Sequence, residues 1–137
     1  MSISVVIPVY NSAPIQKELY DRLSSILESC DRDYEIIYVN DDSRDNSSKI
    51  IKEFCLKDKR VKLINFSRNF GHQAAIRAGL RMAKGEMIAI MDDDLQDPPE
   101  ILPGFFAKLK EGYDVVYGIR KRKKETLFKR LAFRLFY

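Results

Sequence analysis

Short apolar runs rich in β-branched residues fall at positions 3–9, 35–39, 61–66, 87–91 and 114–117. Between them, apolar residues recur at three- and four-residue steps. Ile15, Leu19, Leu23, Ile26 and Leu27 form one such series; Ile50, Ile51, Phe54 and Cys55 a second; Ile101, Leu102, Phe105, Phe106 and Leu109 a third. The runs predict strands buried on both faces of a mainly parallel sheet, and the series predict amphipathic helices. A further helix is expected over residues 73–83. Ser43 or Asp45 is placed to cap the second helix, and Asp97 or Pro98-Pro99 to open the fourth. The alternation predicts an α/β three-layer sandwich built from βαβ units.

At 137 residues the chain has the length of one domain, with 45% hydrophobic and 32% charged residues, as expected of a folded protein. The longest apolar runs are far too short to cross a bilayer. The chain enters a strand at Ile3 without a basic leader, so no signal peptide is expected. Cys30 and Cys55 occupy apolar helix positions and read as reduced, buried thiols in a cytoplasmic setting. The formal charge of +4 is unevenly placed, acidic over residues 92–100 and basic over 120–134. The basic stretch is either a solvated face or a surface for phosphate or anionic lipid.

In parallel α/β sheets, ligands bind at the carboxyl ends of the strands. Here those ends carry Pro8, Tyr10 and Asn11; Asn40, Asp41, Asp42 and Ser43; Ser67, Arg68 and Asn69; Asp92, Asp93 and Asp94; and Gly118 and Arg120. Acidic ends on the second and fourth strands, with arginines after the third and fifth, would converge on one crevice. The run from Asp92 to Gln96 is the strongest feature. Adjacent carboxylates repel unless a cation or full solvation relieves them. In an extended segment, residues two apart share a face. Asp92 and Asp94 can then hold one hard cation while Asp93 points elsewhere, and Gln96 can add a neutral oxygen. Mg²⁺ or Mn²⁺ suits such oxygen donors, with phosphates and water completing the shell. The plainer alternative is an acidic turn before the helix that follows Pro98-Pro99.

Asp41 can accept from a ring N–H or a ribose hydroxyl, or belong to a capping turn with residues 43–48. Pro8 and Tyr10 can frame a base, with the tyrosine as a stacking surface, unless that ring is buried in the core. Arg68, Asn69, Gly71 and His72 lead into the predicted third helix, whose N-terminus can attract an anion. His72 is the only histidine. Without a second soft ligand nearby, it reads as a positioning or packing residue rather than a metal ligand.

These stretches resemble glycosyltransferase family two, of the Rossmann-like GT-A fold. They are most similar to the polyprenyl-phosphate sugar transferases. The matching segments are VVIPVYN (5–11, ending at Asn11), VNDDSRD (39–45), SRNFGHQAA (67–75), MDDDLQDPPE (91–100) and VVYGIR (115–120), in the same order. The resemblance places the family's acidic metal motif on Asp92 and Asp94 and its third ligand on Gln96. Its base-contacting aspartate falls on Asp41, and its diphosphate-contacting arginine on Arg120. Pro8, Tyr10, Asn11, Arg68 and Asp93 join the nucleotide-binding set. Asn40 stands where many relatives carry aspartate.

The resemblance implies an inverting transfer of a hexose from a nucleotide-diphosphate sugar, a UDP-sugar rather than a GDP-sugar, with Mg²⁺ or Mn²⁺. The implied acceptor is a polyprenyl phosphate at the cytoplasmic membrane face, and Asp94 and Arg120 are the catalytic residues. A soluble or polysaccharide acceptor is the alternative. Such relatives continue well past this length. Residues 1–120 are therefore expected to form the donor-binding domain, and 121–137 a basic amphipathic segment. A nicotinamide-dependent enzyme is disfavoured because no G-x-G-x-x-G follows the first strand, and no P-loop pattern occurs. A nucleic-acid-binding module is disfavoured by the acidic strand ends.

Leu127, Leu131 and Leu135 recur at four-residue steps beside Phe128 and Phe136, with Lys129, Arg130 and Arg134 among them. The pattern predicts a helix lying on anionic lipid. Flotation is expected with vesicles containing anionic lipid and not with neutral ones. Lipid-independent behaviour would instead assign this segment to packing within the protein.

Overall fold

The computed structural model describes residues 1–119. Four parallel strands, β1 (Ile3–Val9), β2 (Tyr34–Asn40), β3 (Val61–Asn65) and β4 (Met87–Ile90), are ordered β3-β2-β1-β4. The helices are α1 (Ala13–Cys30), α2 (Ser47–Lys57), α3 (His72–Met82) and α4 (Leu102–Lys110), the last preceded by a 3₁₀ turn at Pro99–Ile101. The expected α/β sandwich is present, and the predicted strands agree with the observed ones to within a residue at each end.

Strand alternation divides the core into two layers. Ile3, Val5, Ile7 and Val9 of β1, with Ile36 and Tyr38 of β2, pack against Leu19, Leu23 and Leu27 of α1, Phe54 of α2 and Phe106 of α4. On the other face, Ile37 and Val39 meet Ala75 of α3. This second layer is thin because α3 lies unusually close to the sheet. A Cβ on Gly79 would stand 2.3 Å from Val6 Cγ1, so only glycine lets the helix seat there. Gly85 is equally constrained, since its Cβ would meet the backbone nitrogen of Ser4 at 2.5 Å.

Two expectations need correction. The apolar run at 114–117 forms no strand; Val115 and Tyr117 are 77% and 76% exposed. Intrinsic β preference does not make a strand without a neighbouring ladder, and among the described residues this run has none. Nor is β4 buried on both faces. Met87 is buried while Ile88 and Ile90 are 41% and 50% exposed. Register explains this: Ile88 and Ile90 align with Ser4 and Val6, on the face where α3 contacts β1 and β2. Cys30 and Cys55 are free and only half-buried. The expected membrane-surface segment and Arg120 lie outside the described residues. Among the described residues, no helix is long and apolar enough to cross a membrane.

Gly79→Ala is expected to cost about 1–3 kcal/mol of unfolding free energy, since the β-branched Val6 cannot swing aside. Gly104 in α4 has nothing within 4 Å of a built Cβ. Gly104→Ala should instead stabilise, by up to about 1 kcal/mol. Urea denaturation of the two variants checks both signs.

Candidate active site

The chain adds β2 and β3 on one side of β1, then crosses back to place β4 on the other. This reversal opens a crevice at the carboxyl ends of β1 and β4. A cavity of about 440 Å³ lies there. Pro8, Val9 and Tyr10 form one wall and Asp92, Asp93 and Asp94 another; Asp41, Asn69, Gly71, His72 and Ala75 complete the lining. Tyr10 is 51% exposed, which excludes a buried core role and leaves its ring free as a surface within the cavity.

Asp41 is only 4% exposed, and its two oxygens accept the N–H groups of Phe70 and Gly71 at 2.7 and 2.9 Å. Asn69 Nδ2 donates to the Asp41 carbonyl at 3.3 Å. Gly71, at φ 95°, caps α3 in a conformation that other residues adopt with strain. The protein's own carboxylate thus holds the two N–H groups just ahead of this helix. The α1 N-terminus is satisfied internally. Asn11, Ser12 and Ala13 donate their N–H groups to Ser43 Oγ, Ser47 Oγ and Asp45 Oδ2 at 3.0, 3.1 and 2.9 Å. Ser43 and Asp45 thus serve the start of α1. The residue capping α2 is Asn46, although Asp45 Oδ1 also accepts from Ser47 N–H at 2.9 Å.

The acidic run is a turn rather than a continued strand. Leu95 has φ 56°, and Gln96 N–H donates back to Asp94 Oδ1 at 3.0 Å. Side-chain exposure still alternates: Asp92 and Asp94 are exposed and Asp93 is half-buried. Asp93 accepts from the Ser12 hydroxyl. Burial raises its carboxyl above the usual range, the Ser12 hydrogen bond and the nearby Tyr10 N–H oppose this, and the neighbouring Asp94 charge adds to it. His72 Nε2 lies 3.4 Å from Asp92 Oδ1. Among the described residues no three His, Cys, Asp or Glu side chains group as metal ligands. Two exposed carboxylates beside an open cavity nevertheless fit Mg²⁺ or Mn²⁺, which take one or two carboxylates and complete the shell with phosphate oxygens and water.

Other expected residues stand away from this cluster. Gln96 is exposed and does not line the cavity. The Arg68 guanidinium lies 4.6 Å from the centre of the Phe70 ring, which packs edge-on against Phe66. Asn11 is at the rim, where its Oδ1 accepts Arg44 N–H at 2.8 Å. Ser12 and Gln16, which no motif singled out, are tied to Asp93. Ser12 was visible as a small polar residue before a helix, but its partner is far away in sequence.

Asp41→Ala would leave two N–H groups without their acceptor. It is expected to lower the unfolding free energy by about 2–3 kcal/mol, with Asp41→Asn costing less because one oxygen remains. Chemical denaturation measures both.

The sequence profile described as Glycosyl transferase family 2 matches residues 4–134. An uncharacterized glycosyltransferase of Bacillus subtilis, YkcC, is 50% identical over 135 residues, covering 98% of this chain and 42% of the relative. An undecaprenyl-phosphate 4-deoxy-4-formamido-L-arabinose transferase of Proteus mirabilis is 39% identical over 131 residues, covering 95% of this chain and 40% of the relative. The chain thus spans about two fifths of the length of these relatives. Among solved structures, S. aureus TarS 1-349 superimposes with a TM-score of 0.68 at 23% identity, over 91% of this chain and 40% of that fragment. A mannosyltransferase of Pyrobaculum calidifontis in complex with GDP-Man and Mn²⁺ gives 0.63 at 24% identity, over 76% and 31%. These neighbours share the GT-A fold. The chain belongs to glycosyl transferase family 2.

Proposed function

We propose that this chain binds the nucleotide sugar for a metal-dependent, inverting glycosyltransferase that passes a hexose to a polyprenyl phosphate. The observation that carries the reading is the cavity itself, which sets Tyr10 and Asp41 beside the exposed carboxylates of Asp92 and Asp94. The Proteus relative's named acceptor, undecaprenyl phosphate, supports the acceptor class. The Mn²⁺ complex of the mannosyltransferase supports the metal.

Asp92 and Asp94 would hold Mg²⁺ or Mn²⁺, with Gln96 as a third donor from the rim. The ion, when bound, supplies Lewis-acid stabilisation of the departing nucleoside diphosphate. The Tyr10 ring, above Pro8, gives the base a face on which to stack. Asp41 keeps lone pairs beyond the two committed to the backbone, and one can accept a ring N–H. Asp93 and Asn11 hold the surrounding loops, and Arg68 and Arg120 would bring positive charge to the diphosphate. A phosphate acceptor has a second pKa of about 6 and is largely dianionic at neutral pH, so it needs little general-base help. Orientation and electrostatics are then the protein's main contribution. The donor base is uracil in preference to guanine. The full protein works at the cytoplasmic membrane face, where residues 121–137 would meet anionic lipid.

Calorimetry with UDP and Mn²⁺ tests the assignment. Wild-type chain should bind UDP more tightly with Mn²⁺ than without, and Asp94→Asn should abolish the difference. Asp41→Ala should weaken UDP binding even without metal. Equal affinities with and without Mn²⁺ in the wild type would refute the metal site, and an unchanged metal-free affinity in Asp41→Ala would remove Asp41 from the base contact.

A further inference from the structure

Asp93 lies between the two proposed metal ligands, yet its side chain turns away from them. It accepts the Ser12 hydroxyl. Because the Ser12 proton is committed to Asp93, Ser12 Oγ is left to accept, and Gln16 Nε2 donates to it at 2.7 Å. Gln16 is fully buried, and its Oε1 has no partner among the described residues. Ser12 N–H is fixed in turn on Ser47 Oγ at 3.1 Å. Amide, hydroxyl and carboxylate therefore form a one-way series of hydrogen bonds, each strengthening the next by polarisation. One end is anchored in the core of α1 and the other reaches the acidic turn.

The series spans two loops with different tasks. Tyr10 stands on the β1–α1 loop and faces the cavity, while Asp92 and Asp94 stand on the turn after β4. Neither loop has a backbone ladder to the other beyond the end of β4, where Met91 N–H reaches the Val6 carbonyl. The bond from the Ser12 hydroxyl to the Asp93 carboxylate joins the turn to the loop that carries Tyr10. Committing Asp93 to Ser12 also leaves two carboxylates, rather than three, to face a divalent ion.

We propose that Asp93 is a positioning residue that clamps the metal-binding turn to the base-binding loop through Ser12, so that the gain in nucleotide affinity conferred by Mn²⁺ depends on this inter-loop bond. The inference rests on the metal assignment proposed above. Partners that orient metal ligands from behind typically change metal affinity by 10- to 100-fold when removed. Ser12→Ala deletes one hydroxyl and leaves every cavity-lining side chain in place.

Calorimetry of the 137-residue chain with UDP, with and without Mn²⁺, tests the clamp. Ser12→Ala should reduce the gain in UDP affinity conferred by Mn²⁺ by roughly 10-fold, with metal-free UDP affinity nearly unchanged. Asp93→Ala should reduce the same Mn²⁺-dependent gain by a similar factor, and in that gain the double variant should lose no more than either single one. Asp94→Asn runs alongside. If it leaves the Mn²⁺ effect intact, the metal assignment itself fails. If it abolishes the effect while Ser12→Ala is silent, the clamp alone fails. Strictly additive losses in the double variant, or complete loss in Asp93→Ala with Ser12→Ala silent, would also overturn it, the latter by making Asp93 a direct ligand. Should Asp93→Ala fail to fold, Ser12→Ala against Asp94→Asn decides.

Discussion

The Asp41 carboxylate, sealed at 4% exposure and seated on the N–H groups of Phe70 and Gly71, is the contact around which this end of the molecule is organised. A parallel sheet brings all its carboxyl-end loops to one side, where their N–H groups lie beyond the ladder and need acceptors. Asp41 supplies two of them to the loop before α3. That loop carries Asn69 and His72 to the cavity wall, and His72 stands against Asp92. Asp45, Ser43 and Ser47 do the same for the start of α1, and Asp93, from the turn after β4, accepts the Ser12 hydroxyl there. The loops are held to one another by side chains rather than by backbone pairing.

This has an electrostatic consequence. Helix N-termini are natural phosphate sites, but the first N–H of α1 is taken by Asp45, and the two N–H groups just ahead of α3, those of Phe70 and Gly71, are taken by Asp41. A diphosphate entering the cavity would meet the exposed carboxylates of Asp92 and Asp94. It would be repelled unless a divalent cation intervened. The structure thus gives a physical reason for the proposed metal that is independent of any motif. The absence of a glycine-rich phosphate loop after β1 belongs to the same design, because β1 runs on into a tyrosine, an asparagine and a serine.

Much of this was legible in the sequence, and the failures share a cause. Strands β1 to β4 were readable because period and composition are local properties. The alternation of Asp92, Asp93 and Asp94 was anticipated, although the segment is a turn at Leu95 rather than an extended strand. What could not be read was which loop satisfies which. Asp45 looked like a cap for α2 and also serves Ala13; Arg68, read into the nucleotide-binding set, has its guanidinium over the Phe70 ring, a contact that no motif displays. Residues 114–117 had the composition of a strand but no described neighbour to pair with. The open side of β4 follows from strand order, since Ile88 and Ile90 are apolar wherever the strand stands. Hydrophobic pattern reports what a residue prefers; exposure depends on partners set by topology.

The central claim is that Asp92 and Asp94 jointly carry a divalent cation that receives the diphosphate at the carboxyl ends of β1 and β4. Anomalous diffraction at the manganese edge, from crystals grown with Mn²⁺ and UDP, tests it most directly. A single peak within coordination distance of both carboxylates and of the diphosphate is the predicted result. A diphosphate lying on the N-terminus of α3 with Asp41 displaced, or a manganese peak away from Asp92 and Asp94, would contradict it.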